Sequence, residues 1–152
     1  MYSICIRQER GFCSITYTPI EDNEQESTGW ALDKDRTCIK DDSLCRGESF
    51  CSLDYLVIPQ GKSDPSSRIT FDRFCGVALT DAVANDPVQN VPITSNGLLF
   101  LCSENSFYFH GIFIALMLIL GHALPFVVHF KTSSSNAGMD RGFRLAYLQN
   151  VC

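Results

Sequence analysis

The chain has 152 residues, a net charge of -5 and a pI near 5.0, and it carries eight cysteines. That length accommodates one domain with a sizeable core and falls short of two. The acidic balance removes the basic surface that nucleic-acid binding needs, and eight cysteines with no Cys-x-x-C pair argue against zinc or thiol redox chemistry and for an oxidising compartment.

The opening Met1-Tyr2-Ser3-Ile4-Cys5 runs straight into Arg7, Glu9 and Arg10, without the apolar stretch of a signal peptide. Beside so many cysteines, this is the expectation for a fragment of a longer exported protein. After a turn at Gly11, residues 12–19 alternate: Cys13, Ile15 and Tyr17 fall on one face and Ser14 and Thr16 on the other, predicting a half-buried strand that ends at Pro19. Cys5 and Cys13 flank that turn, so a local bridge between them is the simplest pairing, although connectivity does not follow from sequence.

Residues 20–46 are polar and acidic, with Glu21, Asp22, Glu24, Glu26, Asp33, Asp35, Asp41 and Asp42, and read as a solvated loop. Gly29-Trp30-Ala31-Leu32 is its apolar island, where Trp30 is expected to anchor a short strand to the core. Cys38 and Cys45 are close enough in sequence to close a small loop.

Residues 51–59 and 68–74 form the pattern of a stapled hairpin. The first run, Cys51-Ser52-Leu53-Asp54-Tyr55-Leu56-Val57-Ile58-Pro59, is rich in β-branched and aromatic residues and is expected to stop at Pro59. The second presents Ile69 and Phe71 on one face, and Gly61-Lys62-Ser63-Asp64-Pro65-Ser66-Ser67 makes the turn. Cys51 and Cys75 stand at the ends away from the turn, where strand pairing brings them together. Gly61-Lys62-Ser63 superficially matches the end of a phosphate loop, but Leu56 replaces the first glycine and no helix signal follows. The Pro- and Asn-punctuated residues 76–94 read as loop and edge strand.

Residues 98–130 break the pattern, because residues 107–130 contain no charged side chain and are long enough to span a bilayer. As a transmembrane helix the segment would include Phe107, Leu116 and Leu124, and Lys131, Arg141 and Arg144 beyond it would satisfy the positive-inside rule. His110, His122, His129, Gly111, Gly121 and Pro125 interrupt such a helix. In the second reading, Phe126, Val128 and Phe130 alternate with Val127, His129 and Lys131 as a strand, and Gly142-Phe143-Arg144-Leu145-Ala146-Tyr147-Leu148 alternates likewise. The two runs then form another hairpin across residues 133–138. What precedes them, residues 98–121, becomes an apolar insert, helical or disordered. A translated retained intron accounts for it, since Phe, Leu, Ile, Met and Val codons all have uracil at the middle position, as in the pyrimidine tract before a splice acceptor. With Cys102 inside the insert seven cysteines remain, and Cys152 would then pair with a cysteine upstream of the fragment.

Taken in order, the block 51–58, then Arg73-Phe74-Cys75-Gly76, Pro125-Phe126-Val127-Val128-His129-Phe130 and residues 141–147 resembles a CUB domain. The resemblance is to the divergent CUB domains of invertebrate extracellular proteins, where Cys5 and Cys13 also have counterparts. It implies an all-β, antiparallel two-sheet jelly-roll-like sandwich over residues 1–152, apart from the insert and without the family's first strand. It also implies a secreted or ectodomain module that binds extracellular protein or glycan and catalyses nothing. Many CUB domains bind calcium. Asp54 matches the aspartate that precedes their tyrosine, but Lys131-Thr132-Ser133-Ser134 stands where a Ser/Thr-Asp pair is expected, and Asp54 otherwise satisfies loop amides.

Two further function classes compete. A single-pass membrane protein would use residues 107–130 as its anchor, with the plasma membrane as its location. An enzyme is disfavoured, since the sequence has no G-x-S-x-G elbow, H-E-x-x-H pair or Cys-His signature.

Overall fold

The computed structural model describes residues 2–20, 29–32, 51–52, 54–81, 89–96, 126–132 and 142–152, and the regular elements among them are all β-strands. In chain order these are β1 (Tyr2–Ile6), β2 (Phe12–Pro19), β3 (Trp30–Ala31), β4 (Tyr55–Gly61), β5 (Phe71–Phe74), β6 (Ile93–Ser95), β7 (Phe126–Lys131), β8 (Gly142–Phe143) and β9 (Leu145–Val151). A four-stranded sheet has the order β1-β7-β4-β5, a three-stranded sheet the order β6-β2-β9, and β3 pairs with β8. Every pairing is antiparallel. The all-β, antiparallel sandwich expected from the sequence is what the chain forms.

The core follows from period-two alternation. In β2, Ile15 and Tyr17 are buried while Thr16 between them is half-buried; in β4, Leu56 and Ile58 are fully buried; Phe126 and Val128 of β7 and Ile93 of β6 join them. Each fully buried side chain of this size contributes about 1.5–3 kcal/mol relative to exposure. Burial, and secondarily Tyr147 opposite it, pushes the Tyr17 phenol above its ordinary pKa, so this side chain stays protonated and packs as a core residue. Along one row of the larger sheet Tyr2, Phe130, Leu56 and Phe74 lie in register on the inner face. From that row an aromatic chain runs inward: Phe130 meets Phe143 edge-on at 5.3 Å, and Phe143 lies 6.1 Å from Trp30. Trp30 is buried and anchors the short strand β3, as its position in an apolar island predicts.

The two larger sheets are joined at the end of β4. Lys62 N–H donates to Thr94 O at 3.0 Å and Thr94 N–H donates to Lys62 O at 2.8 Å, so the chain leaving β4 extends the edge of the three-stranded sheet beside β6. Gly61 makes this crossing tight. A Cβ there would stand 2.7 Å from Phe74 Cζ and 2.9 Å from Ile93 Cγ2. Gly29 has a different reason to be glycine. Its φ is +65°, a Cβ would strike the Ile20 carbonyl, and the backbones on either side are engaged by Ile20 N–H to Arg144 O at 2.9 Å and Arg144 N–H to Gly29 O at 2.8 Å.

Several expectations change. Pro59 does not stop its strand, because β4 continues to Gly61 through an irregularity between Val57 and Gly61, where the ladder skips Pro59 and no amide is needed. Gln60 occupies the left-handed region at φ 53° in that irregularity, and its N–H donates to Asp72 Oδ1 at 2.7 Å. The second hairpin strand is shorter than residues 68–74: it begins at Phe71, and Ile69, expected beside Phe71, is 68% exposed. β7 and β9 are not a hairpin. β7 lies between β1 and β4, whereas β9 pairs with β2 in the other sheet, so the connection passes from one sheet to the other. This placement also overturns residues 107–130 as a single membrane helix, since residues 126–130 are a strand inside a sheet. The remainder of that span, with Phe107, Leu116 and Leu124, and the insert at 98–121 lie outside the described residues. Among the described residues no helix is long and apolar enough to cross a membrane.

Candidate functional site

The hairpin β4–β5 is closed at its open end by a disulfide between Cys51 and Cys75, whose Cα atoms are 5.5 Å apart. Both cysteines are buried against the core. The other end is held by hydrogen bonds within the turn. Lys62 Nζ donates to Pro65 O at 2.7 Å and to Ser67 O at 3.1 Å, while the Ser66 hydroxyl and the Ser66 N–H both donate to Asp64. The Ser66 hydroxyl first, then its N–H, hold the Asp64 carboxyl below its ordinary pKa. Staple and turn together make a rigid frame for the outer face of the larger sheet.

On that face the register sets Ser3, His129, Val57 and Arg73 in one row across all four strands, with Lys131 opposite Tyr55 beside it. Arg73 Cζ and Lys131 Nζ each lie 5.1 Å from the centre of the Tyr55 ring. Each cation–π contact at such a partly exposed site contributes about 0.5–1 kcal/mol. Lys131 Nζ also approaches Ser52 O at 3.4 Å, which ties it to the chain next to the Cys51 staple. At the far end of the row, Ser3 Oγ and His129 Nδ1 share a 2.7 Å hydrogen bond, and burial lowers the His129 pKa. The other sheet presents a polar outer face instead: Asn150 Nδ2 donates to Ser14 Oγ at 3.1 Å and to Thr16 Oγ1 at 2.9 Å, and the Thr16 and Thr94 hydroxyls are 2.9 Å apart.

Asp54 immediately precedes β4, beside Tyr55. A calcium ion at this corner would need further oxygen donors beside Asp54. The ion takes six to eight oxygens, whereas the described residues bring no group of three or more His, Cys, Asp and Glu side chains together, and the Lys131 ammonium lies over the adjacent Tyr55 ring.

The local Cys5–Cys13 bridge does not form. Cys13 bonds Cys152, with Cα atoms 5.1 Å apart, because β2 and β9 are neighbours and the bulge at Cys13 leaves its side chain beside the end of β9. This also supplies Cys152 with a partner inside the chain, in place of an upstream one. Cys5 is disulfide-bonded as well, and Cys38 and Cys45 lie outside the described residues. The clustering of Tyr55, Arg73 and Lys131 is absent from sequence reasoning because it depends on the pairing of β4 with β7, strands separated by the apolar segment; the alternation of residues 126–131 signals the strand but not its neighbour.

The family model of the animal CUB domain matches residues 1–150. No curated protein and no solved structure matches the chain.

Proposed function

The chain belongs to the animal CUB domain family, a family of extracellular protein-interaction modules, and from that premise we propose that it is a non-catalytic recognition module within a larger secreted or ectodomain protein, binding a protein or glycan ligand. The observation that carries this reading is the family match over residues 1–150. The sandwich and its two described disulfides, characteristic of oxidising compartments, support it.

The test is to export the full chain through an oxidising secretory pathway, recover it with disulfides intact and screen it against extracellular proteins and a glycan array. Selective, saturable binding without turnover of ester, peptide or glycosidic substrates is expected. Turnover that survives purification, or recovery of the chain only in the membrane fraction, would sink this reading, the latter in favour of a membrane-anchored protein.

A further inference from the structure

The outer face of the four-stranded sheet combines three properties. It is rigid, since the Cys51–Cys75 bond and the β4–β7 pairing fix its backbone. It is open, with Arg73 exposed and Tyr55, Val57 and Lys131 only half-buried. It is locally cationic on a chain whose net charge is -5. Among the described residues no carboxylate ion-pairs with Arg73 or Lys131, and their charged ends rest on the Tyr55 ring. The guanidinium and the ammonium, neither ion-paired to a described carboxylate, share one ring and retain donors that an anionic group could take up.

We propose that the Arg73–Tyr55–Lys131 cluster is the site at which this module binds a carboxylate side chain of an acidic segment on a protein partner. This rests on the recognition-module reading and names its ligand chemistry. Arg73 takes the carboxylate through its planar fork, Lys131 supplies a second charge, and Tyr55 holds both side chains in place so that less rotamer freedom is lost on binding. Val57, half-buried beside them in the same sheet face, offers apolar contact that a flat protein surface can cover. Charge complementarity is local. At physiological salt the Debye length is about 8 Å, so a single carboxylate at the cluster is attracted while most of the chain's acidic surface is screened from it. A long polyanion would instead meet that surface along its length, which disfavours a sulfated polysaccharide.

The test titrates the full, oxidised chain, isotopically labelled, with a short acetylated peptide of alternating glutamate and glycine, and in parallel with a heparin-derived tetrasaccharide. The peptide is expected to shift the Arg73 Nε and Tyr55 ring signals saturably, with affinity falling about tenfold or more in Arg73→Ser/Lys131→Ser. Arg10→Ser, an exposed cation between β1 and β2 and outside the cluster, should leave it unchanged. Tyr55→Phe should retain binding, and Tyr55→Leu should weaken it while Arg73 and Lys131 remain. Tighter binding of the tetrasaccharide at the same residues would overturn the carboxylate assignment in favour of a glycan. Peptide shifts that persist in Arg73→Ser/Lys131→Ser, or no shifts with either probe, would overturn the site. Selective binding of an extracellular ligand that is unaffected by these substitutions would leave the recognition-module reading standing and place its contact elsewhere.

Discussion

His129 is the residue whose chemistry the fold changes most clearly on the outer face. Burial lowers its pKa below the ordinary value of 6.5, so the unfolded chain takes up the proton first as the solution is acidified. The stability this histidine contributes is therefore complete above about pH 6.5 and is lost as pH falls through that value towards the lower folded-state pKa. Urea midpoints measured from about pH 7.5 to about pH 5 should fall, and His129→Gln should flatten that slope. An equal slope in the variant would mean that other groups carry the dependence. At this scale part is legible in sequence: Ile15 and Tyr17 are buried on the one face that alternation gives them, and Trp30 is buried as the anchor of its apolar island. Gln60 is not legible, because its left-handed backbone depends on the ladder skip beside Asp72 and on no local turn signal.

Among the elements, the β4–β5 hairpin is legible because its strands, turn and cysteines are contiguous in the chain, and local pairing needs only local information. The partners of β2, β7 and β9 are not, because each is chosen by packing between distant segments; a loop rich in serine suggests a hairpin equally well whether its flanking strands pair or enter different sheets. The two disulfides sample both cases. Cys51–Cys75 closes a loop with a sequence separation of 24 and Cys13–Cys152 one of 139. The chain-entropy argument assigns about 3.5 kcal/mol to the first and about 5 kcal/mol to the second. Cys51→Ser/Cys75→Ser should therefore lower the denaturation midpoint, and Cys13→Ser/Cys152→Ser should lower it further. The reverse order would show that the second bond ties ends that the unfolded chain already keeps close.

For the whole molecule, the sandwich class and the family follow from the sequence, while the segment between β6 and β7 does not. β6 ends at Ser95 and β7 begins at Phe126, whereas connections in compact domains have a median of about 4–6 residues. A retained intron remains our proposal for residues 98–121, and amplifying the transcript across the codons for Gly97 and His122 should yield a shorter message as well. If every spliced message keeps those codons, the proposal fails; a Cys5–Cys102 bond in the secreted product would count equally against it. At Asp54 the motif supplies one carboxylate, a metal centre needs companions to it, and among the described residues the cations Lys131 and Arg73 lie around the neighbouring Tyr55.

The bond between Cys13 and Cys152 also bears on how the sandwich resists pulling. β9 is an edge strand, and tension applied at its far end would ordinarily peel it from β2 one hydrogen bond at a time. With Cys152 covalently fastened to Cys13 and its N–H donating to Gly11 O at 3.0 Å, the load instead enters the sheet at the start of β2, a strand flanked on both sides. Reduction of that one bond would convert a mechanically clamped edge into one that unzips.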